Sequence, residues 1–223
     1  MGSENTGTAI RAFLVDDHPV YRVGLRTLLS NEPDITVVGE AESGRMALDS
    51  IEACKPTLAV VDLSLEDMTG LELIKNLRKS MPTLPIFVFS MHDEDIYAER
   101  AIKLGAQGYL MKQASPQDLV HGIRQVARGE LTLSSRQTDI IMKRVLSQGG
   151  NSSESPIQLL SDRELEVFEH VGKGLSTRAI AEKLVISVKT VETHQAHIKR
   201  KLKLANHNEL MRAGFGWVND LSR

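Results

Sequence analysis

Two adjacent aspartates, Asp16 and Asp17, stand directly after the apolar run Ile10–Val15. Two neighbouring carboxylates repel each other unless positive charge lies between them. A third aspartate, Asp62, follows the apolar run Leu58–Val61. Three carboxylates form an all-oxygen ligand set, which suits Mg²⁺, an ion that keeps several waters and readily bridges a carboxylate to a phosphate. The three aspartates therefore predict a magnesium site.

Further polar side chains follow other apolar runs and complete a set that suits phosphate chemistry. Ser90 ends the fourth run, and Lys112 comes directly after Gln107–Met111, a run that also contains Tyr109. A lysine offers a compact positive charge to a phosphoryl oxygen, and a serine offers a hydroxyl donor. Phosphoryl transfer depends mostly on positioning and charge neutralisation. The set therefore predicts such a transfer, with the carboxylate of Asp62 as acceptor and an aspartyl-phosphate as product.

The elements that must position these residues alternate between short apolar runs and helical patterns. Nearly continuous apolar strands are typical of a parallel sheet that helices cover on both faces. The predicted strands are Ile10–Val15, Ile35–Ala41, Leu58–Val61, Ile86–Ser90 and Gln107–Met111. The predicted helices lie near 19–30, 44–54, 70–80, 94–104 and 116–128. This alternation predicts a doubly wound α/β domain, in which functional side chains gather beyond the carboxyl ends of the strands.

The pattern changes after a polar, small-residue segment at 147–156, which has the composition of a linker. Strand patterns vanish beyond it, and Ser161 and Glu164 have the spacing of a capping box that opens a helix. Further helices are predicted at 177–184, 188–202 and 209–218. The pair 177–184 and 188–202, with Ser187 as the N-cap of the second helix, predicts a helix-turn-helix in a small all-helical domain.

Composition limits the classes of function. Residues 1–155 hold 16 basic and 21 acidic residues, net −5, whereas residues 156–223 hold 11 and 8, net +3. A basic final third favours a polyanionic partner. One cysteine, Cys54, excludes an internal disulfide framework and fits a reducing cytoplasm. Neither a signal peptide nor an apolar stretch of about 20 residues is present, so we expect a cytoplasmic protein without a membrane partner.

The first part of the chain resembles the receiver domain of two-component response regulators over residues 10–130, and the resemblance implies a flavodoxin-like fold. The motifs "DDHP", "VVDLSLEDMTG", "VFSM" and "GYLMKQ" carry it, in this order. The family's magnesium ligands correspond to Asp16, Asp17, Asp62 and the backbone carbonyl of Ser64. His18 is then expected to be an exposed loop residue.

The same resemblance assigns the signalling roles. It implies that Asp62 is the phosphoacceptor, that Lys112 binds the phosphoryl group, and that Ser90 and Tyr109 are a switch pair. The serine turns toward the phosphate, and the aromatic ring follows it inward. The phosphoryl donor implied is a phosphohistidine on a separate sensor histidine kinase. Leu65 and Glu66 stand where the family commonly has Met-Pro, and Gln113 stands where a proline often follows the lysine, but neither change removes a chemical group.

The stretch "LSDRELEVFEHVGKGLSTRAIAEKLVISVKTVETHQAHIKRKL" closely resembles the LuxR-type DNA-binding domain of the NarL/FixJ response regulators, with a match over about residues 158–220. The resemblance implies that helix 188–202 enters the major groove and that the last helix pairs two domains into a dimer on adjacent half-sites. Base edges would be met by Glu192, Thr193 and Ala196, and phosphates by Lys189, Thr190, Lys199 and Lys201. Phosphate contacts supply affinity and base contacts supply sequence choice.

The predicted organisation is a disordered tail at 1–9, a receiver domain at 10–130, a linker at 131–157 with a helix near 134–146, and a DNA-binding domain at 158–223. The predicted function is a transcriptional response regulator rather than an enzyme, active as a homodimer on operator DNA. Two alternatives remain open. One is a DNA-binding protein whose receiver works without phosphate. The other is a Mg²⁺-dependent phosphatase, which is disfavoured because such enzymes usually carry a carboxylate where Ser64 stands.

Overall fold

The computed structural model describes residues 9–134, 137–138 and 156–221. The chain divides into two compact units, residues 1–146 and 147–223. Most of the predicted tail at 1–9 and most of the predicted linker at 131–157 lie outside the described residues. Within the helix predicted near 134–146, residues 137–138 are helical, and most of the rest is not described. The exact domain boundaries therefore stay predictions.

The first unit is a five-stranded parallel sheet with the strand order β2-β1-β3-β4-β5. The strands are β1 (Ile10–Val15), β2 (Ile35–Ala41), β3 (Leu58–Val61), β4 (Ile86–Ser90) and β5 (Gly108–Met111). The helices are α1 (Pro19–Ser30), α2 (Gly44–Cys54), α3 (Gly70–Ser80), α4 (Glu94–Lys103) and α5 (Pro116–Ala127). The predicted doubly wound, flavodoxin-like α/β fold is confirmed. The last strand starts one residue later than predicted, where the Gln107 side chain accepts from the Ile86 N–H at 2.9 Å.

The core lies on the central strands, and its burial explains their nearly continuous apolar sequence. All four residues of β3 are buried, and in β1 Ala12, Phe13 and Leu14 have no exposed surface. The edge strand β2 is only half-buried along most of its length. Since all the strands are parallel, their carboxyl ends meet at one edge of the sheet, where Asp16, Asp62 and Lys112 follow directly.

The second unit is helical throughout its described residues. A 3₁₀-helix at Pro156–Leu159 precedes α6 (Asp162–Gly172), α7 (Thr177–Lys183), α8 (Val188–Lys201) and α9 (His207–Leu221). The capping box of Ser161 and Glu164 is present in both directions. The last helix is longer than predicted and begins directly after Asn206, whose side chain accepts from the Glu209 N–H at 3.0 Å.

Two contacts fix how α6 and α9 pack. A Cβ on Gly172 would stand 2.3 Å from the carbonyl oxygen of Gly214, so the two backbones meet where neither residue has a side chain. The rings of Phe168 and Trp217 lie 5.3 Å apart beside this crossing. Trp217 is thus an apolar anchor of the small domain. None of the helices in the described ranges is long and apolar enough to cross a membrane.

Candidate functional site

Asp16, Asp62 and Lys112 converge at the carboxyl edge of the sheet. The Lys112 Nζ donates to Asp16 Oδ2 and to Asp62 Oδ2, each at 2.7 Å. The lysine side chain has no exposed surface, and the two carboxylate side chains are 4% and 2% exposed. Three strand ends, those of β1, β3 and β5, therefore bring together the groups that the sequence predicts to act together.

The charges in this cluster do not balance, since three carboxylates surround one ammonium. Burial opposes the charged form of Lys112, but Asp62 and Asp16 outweigh it and raise the pKa of the lysine. Burial raises the pKa of the Asp17 carboxyl, and Asp62 and Asp16 add to the rise, while His18 opposes it. The site thus has an excess of negative charge that favours a further cation.

The donor atoms are arranged in a way that is compatible with Mg²⁺. Asp16, Asp17, His18 and Asp62 each offer one ligand atom, and these atoms all lie within 4.8 Å of one another. Asp62 Oδ1 is buried without a hydrogen-bond partner. Asp17 Oδ1 is also buried, and its one close contact is the His18 Nδ1 at 2.5 Å. Buried, unpartnered carboxylate oxygens are costly unless a cation pairs with them.

His18 is an exposed loop residue, as predicted, with 57% of its side chain accessible. It caps α1 without a side-chain hydrogen bond, and its backbone N–H donates to Asp16 Oδ1 at 2.8 Å. This backbone bond holds the Asp16 carboxylate at the sheet edge.

The loop after β3 is held close to Asp62 by the start of α3. A Cβ on Gly70 would stand 2.3 Å from the Asp62 carbonyl oxygen, so only glycine fits there. The Thr69 side chain caps α3 by accepting from the Glu72 N–H at 2.9 Å. Asp67 reaches back and accepts from the first two N–H groups of α2, both at 2.8 Å. These bonds fix the loop that carries Ser64.

The predicted switch pair, Ser90 and Tyr109, meets at the backbone of His92. The Ser90 Oγ accepts from the His92 N–H at 3.4 Å, and the Tyr109 hydroxyl donates to the His92 carbonyl at 2.8 Å. Both residues are fully buried. The His92 ring contacts the Ser64 Oγ at 3.1 Å. His92 therefore connects the loop after the acceptor strand to the switch pair, a role that no sequence motif predicts.

Tyr21 is a second contact that sequence reasoning missed. The Lys112 Nζ lies 4.3 Å from the centroid of the Tyr21 ring. Tyr21 stands four residues after Asp17, in the first turn of α1. That spacing places it near the acid pair and is the one sequence signal that could have pointed to it.

The face of α8 that is predicted to read DNA is exposed. Glu192, Thr193 and Ala196 are accessible, while Val191, Gln195 and Ile198 are buried on the opposite side. Apolar spacing along this helix predicts inward positions for Val191 and Ile198, and their burial confirms it.

The predicted phosphate-contacting side chains differ in their surroundings. Lys189 is exposed and pairs loosely with Glu192 at 3.5 Å. Thr190 bonds through its hydroxyl to Ser187 at 2.8 Å. Lys199 is half-buried and forms no ion pair within the described part of the chain. Lys201 instead contacts the buried Glu164 carboxylate, with Nζ to Oε2 at 2.6 Å.

Comparison with known proteins matches both units. A family model described as "Response regulator receiver domain" matches residues 12–124, and one described as "Bacterial regulatory proteins, luxR family" matches residues 158–213. The nitrate/nitrite response regulator protein NarL of Escherichia coli K12 is 37% identical over 88% of this chain and 90% of NarL. The oxygen regulatory protein NreC of Staphylococcus carnosus is 33% identical over 91% of this chain and 95% of NreC.

Solved structures that are similar to this chain are also response regulators. RcsB from Salmonella enterica serovar Typhimurium, bound to promoter rprA in the presence of the phosphomimetic BeF₃⁻, is 25% identical. The alignment covers 96% of this chain and 98% of that one, with a TM-score of 0.64. A LuxR-family two-component response regulator from Aurantimonas sp. SI85-9A1 is 33% identical, covers 61% of this chain and 99% of its own, and has a TM-score of 0.58.

Proposed function

This chain belongs to the NarL/FixJ family of two-component response regulators, and on that premise we propose that phosphorylation of Asp62 controls its binding to operator DNA. It combines a receiver with a LuxR-type DNA-binding domain, and its role is transcription regulation. The observation that carries the proposal is the buried Lys112 ammonium, held at 2.7 Å by both Asp16 and Asp62 while one oxygen of Asp62 has no partner.

In the proposed reaction the phosphoryl group passes from a histidine of the sensor kinase to a carboxylate oxygen of Asp62. The nitrogen–phosphorus bond breaks, a bond from the aspartate oxygen to phosphorus forms, and the histidine leaves as imidazole. Lys112 already contacts Asp62, so its ammonium is placed to pair with a phosphoryl oxygen there. The Ser90 hydroxyl lies at the end of β4, next to β3, and would donate a hydrogen bond to a second phosphoryl oxygen.

Asp16, Asp17, Asp62 and the backbone carbonyl of Ser64 would hold Mg²⁺. When bound, the ion supplies positive charge that neutralises the phosphoryl oxygens. The support for this ligand set is the 4.8 Å grouping of donor atoms and the buried Asp62 Oδ1, which has no hydrogen-bond partner. His18 belongs to the same grouping, but its exposure and its nitrogen donor suit Mg²⁺ less well than the carboxylates do.

Phosphorylation adds a charge of about −1.5 to −2 to the site. We propose that Ser90 and Tyr109 transmit this change, because both bond to the backbone of His92. The protein would then form a homodimer on its operator. We place the protein in the cytoplasm, where it would bind both the kinase and the DNA. We propose no membrane partner.

On DNA, we propose that α8 lies in the major groove. Glu192, Thr193 and Ala196 would meet base edges, and a carboxylate at 192 would accept from cytosine N4. Lys189, Thr190, Lys199 and Lys201 would supply phosphate contacts, with Lys201 the most restricted by its ion pair. The exposure of the three base-facing residues supports this assignment.

The test compares wild type with Asp62→Asn. Operator DNA is first recovered by sequencing the genomic fragments that the protein retains, and affinity is then measured with and without acetyl phosphate. We expect the donor to tighten binding of wild type but not of Asp62→Asn. The matched control is Asp49→Asn, an equal change at an exposed acid on α2, which should respond like wild type. Equal tightening of all three proteins would contradict the proposal.

The same proteins separate the remaining alternatives. If phosphate-affinity gels show no phosphorylated wild type, while the protein still binds its operator, the receiver works without phosphate. If wild type instead hydrolyses small phosphate esters over many turnovers, the site is that of a phosphatase. Ser64 stands where such enzymes carry a general acid, so we expect no such turnover.

A further inference from the structure

We propose that Tyr21 is a lid over the Lys112 ammonium and that it sets how long a phosphoryl group survives on Asp62. The inference rests on the proposed phosphorylation of Asp62. It gives a regulatory role to a residue outside the predicted ligands, acceptor and switch pair.

The geometry places the ring between the lysine and solvent. The Lys112 Nζ stands 4.3 Å from the Tyr21 centroid, and the lysine side chain has no exposed surface, whereas Tyr21 is 40% exposed. The Tyr21 hydroxyl contacts the Met91 sulfur at 3.8 Å, across the site in the loop after β4. The His18 ring meets the Tyr21 ring edge-on, with centroids 6.1 Å apart. The lid is therefore supported on two sides.

The ring also acts on the charge of Lys112. An ammonium within about 6 Å of an aromatic centroid is attracted by the ring quadrupole, more strongly when water is excluded. Asp16 and Asp62 hold the ammonium from one side, and Tyr21 covers it from another. Tyr21 is thus a positioning residue, because it acts on the phosphoryl site through Lys112.

The chemical step under control is hydrolysis of the aspartyl-phosphate. A water oxygen attacks phosphorus, the bond between phosphorus and the Asp62 oxygen breaks, and the free carboxylate and inorganic phosphate result. The ring restricts the approach of water to Lys112 and keeps the ammonium aimed at Asp62. Loss of the ring would admit water and let the ammonium move, so the phosphoryl group would be lost sooner.

The experiment uses the full chain as wild type, Tyr21→Ala, Tyr21→Phe and Val20→Ala. Each is phosphorylated with acetyl phosphate and Mg²⁺ and freed of donor, and its decay is followed on phosphate-affinity gels with Mg²⁺ and again after EDTA. We expect Tyr21→Ala to shorten the half-life by about threefold or more in both conditions. Tyr21→Phe keeps the ring and should restore a half-life close to that of wild type. Val20 is a neighbouring apolar residue that is 83% exposed, so Val20→Ala is the matched control.

A second measurement needs neither phosphate nor metal. In limited acetylation with an amine-reactive reagent, the acetylated fraction of Lys112 is measured by mass spectrometry. This fraction should be about threefold higher in Tyr21→Ala than in the other three proteins. Equal labelling and equal half-lives in Tyr21→Ala and wild type would overturn the lid, as would a Tyr21→Phe protein that decays as fast as Tyr21→Ala. A wild type that takes up no phosphoryl group would instead overturn the proposed function, and the lid with it.

Discussion

At the scale of single residues, Glu164 has more partners than its sequence position indicates. Its carboxylate accepts from the Ser161 N–H at 2.7 Å and from the Lys201 Nζ at 2.6 Å, and it lies 3.6 Å from His197 Nδ1. The capping box is local and follows from spacing, but the contacts with α8 depend on tertiary packing. One buried carboxylate thus joins the start of α6 to the end of the proposed recognition helix.

This contact predicts different roles for two lysines on α8. Each lysine that neutralises a DNA phosphate contributes about one unit to the slope of log affinity against log salt. Lys199→Met should therefore reduce the slope by about one. Lys201→Met should change the slope less, because Glu164 already neutralises this ammonium, and should instead lower the melting temperature. Fluorescence anisotropy on a labelled operator over a salt series provides the measurement. A full-unit change for Lys201→Met alone would contradict this prediction.

The same residue predicts an acid-dependent stability. Burial raises the pKa of the Glu164 carboxyl, but Lys201 and Ser161 outweigh it and hold the pKa below its ordinary value of 4.5. Since the folded pKa is the lower one, the stabilisation is complete above about pH 4.5 and is lost as pH falls through the folded value. The melting temperature of wild type should exceed that of Glu164→Gln at pH 7, and the gap should shrink below pH 4.5. Glu182→Gln, at an exposed surface pair, should show little gap at any pH.

At the scale of elements, the sequence predicts the features that neighbouring residues determine better than those that depend on contacts between distant segments. Four of the five strands have the predicted ends, because turn residues bound each apolar run. The convergence of Asp16, Asp62 and Lys112 follows from the parallel sheet. The spacing of Tyr21 from the acid pair places it near the site, but its contact with Lys112 and the bonds of His92 depend on side-chain directions between distant segments, which no local pattern predicts. Apolar spacing in the helix-turn-helix predicts that Ala179, Leu184 and Leu202 face the core, but all three are only half-buried.

The turn between α7 and α8 contains a strained residue and so predicts a stabilising substitution. Val185 has a φ of 52° and is 68% exposed. A β-branched residue in this left-handed region is strained by about 1–3 kcal/mol. Glycine removes the strain and costs about 0.5–1 kcal/mol of backbone entropy. Val185→Gly should therefore raise the free energy of unfolding by about 1 kcal/mol, measured by denaturant titration.

A matched substitution checks that the gain comes from the backbone. Val188 is also exposed and apolar, but it begins α8 in a helical conformation. Val188→Gly relieves no strain and should lower the free energy of unfolding by about 0.5 kcal/mol. If both glycine variants lose stability, Val185 is not strained in the folded protein.

At the scale of the whole molecule, charge is divided along the chain, with net −5 over residues 1–155 and net +3 over residues 156–223. The proposed acceptor, Asp62, thus lies in the acidic part of the chain, and the proposed DNA-binding helix lies in the basic part. This division suits their partners, since a basic surface attracts DNA and clustered carboxylates attract a divalent cation. Each unit has its own buried core. We propose that phosphorylation acts by changing how the protein assembles on DNA.

The proposed homodimer on DNA predicts that the exposed face of α9 contributes to operator affinity. Met211 and Phe215 lie one helical turn apart and are 42% and 64% exposed, while Gly214 packs on α6 from the same helix. An exposed apolar pair of this kind suits the homodimer that we propose. Phe215→Glu should therefore weaken binding to an operator with two half-sites by about tenfold, and leave binding to a single half-site unchanged.

The comparison of one and two half-sites isolates the dimer contact from folding and from base reading. Leu159→Glu places the same charge at another exposed apolar residue, 54% accessible, in the 3₁₀-helix before α6. It should bind both operators as wild type does. Sedimentation of the phosphorylated proteins should give dimers for wild type and Leu159→Glu and monomers for Phe215→Glu. A phosphorylated Phe215→Glu protein that still forms dimers and binds paired half-sites normally would place the dimer contact elsewhere than on α9.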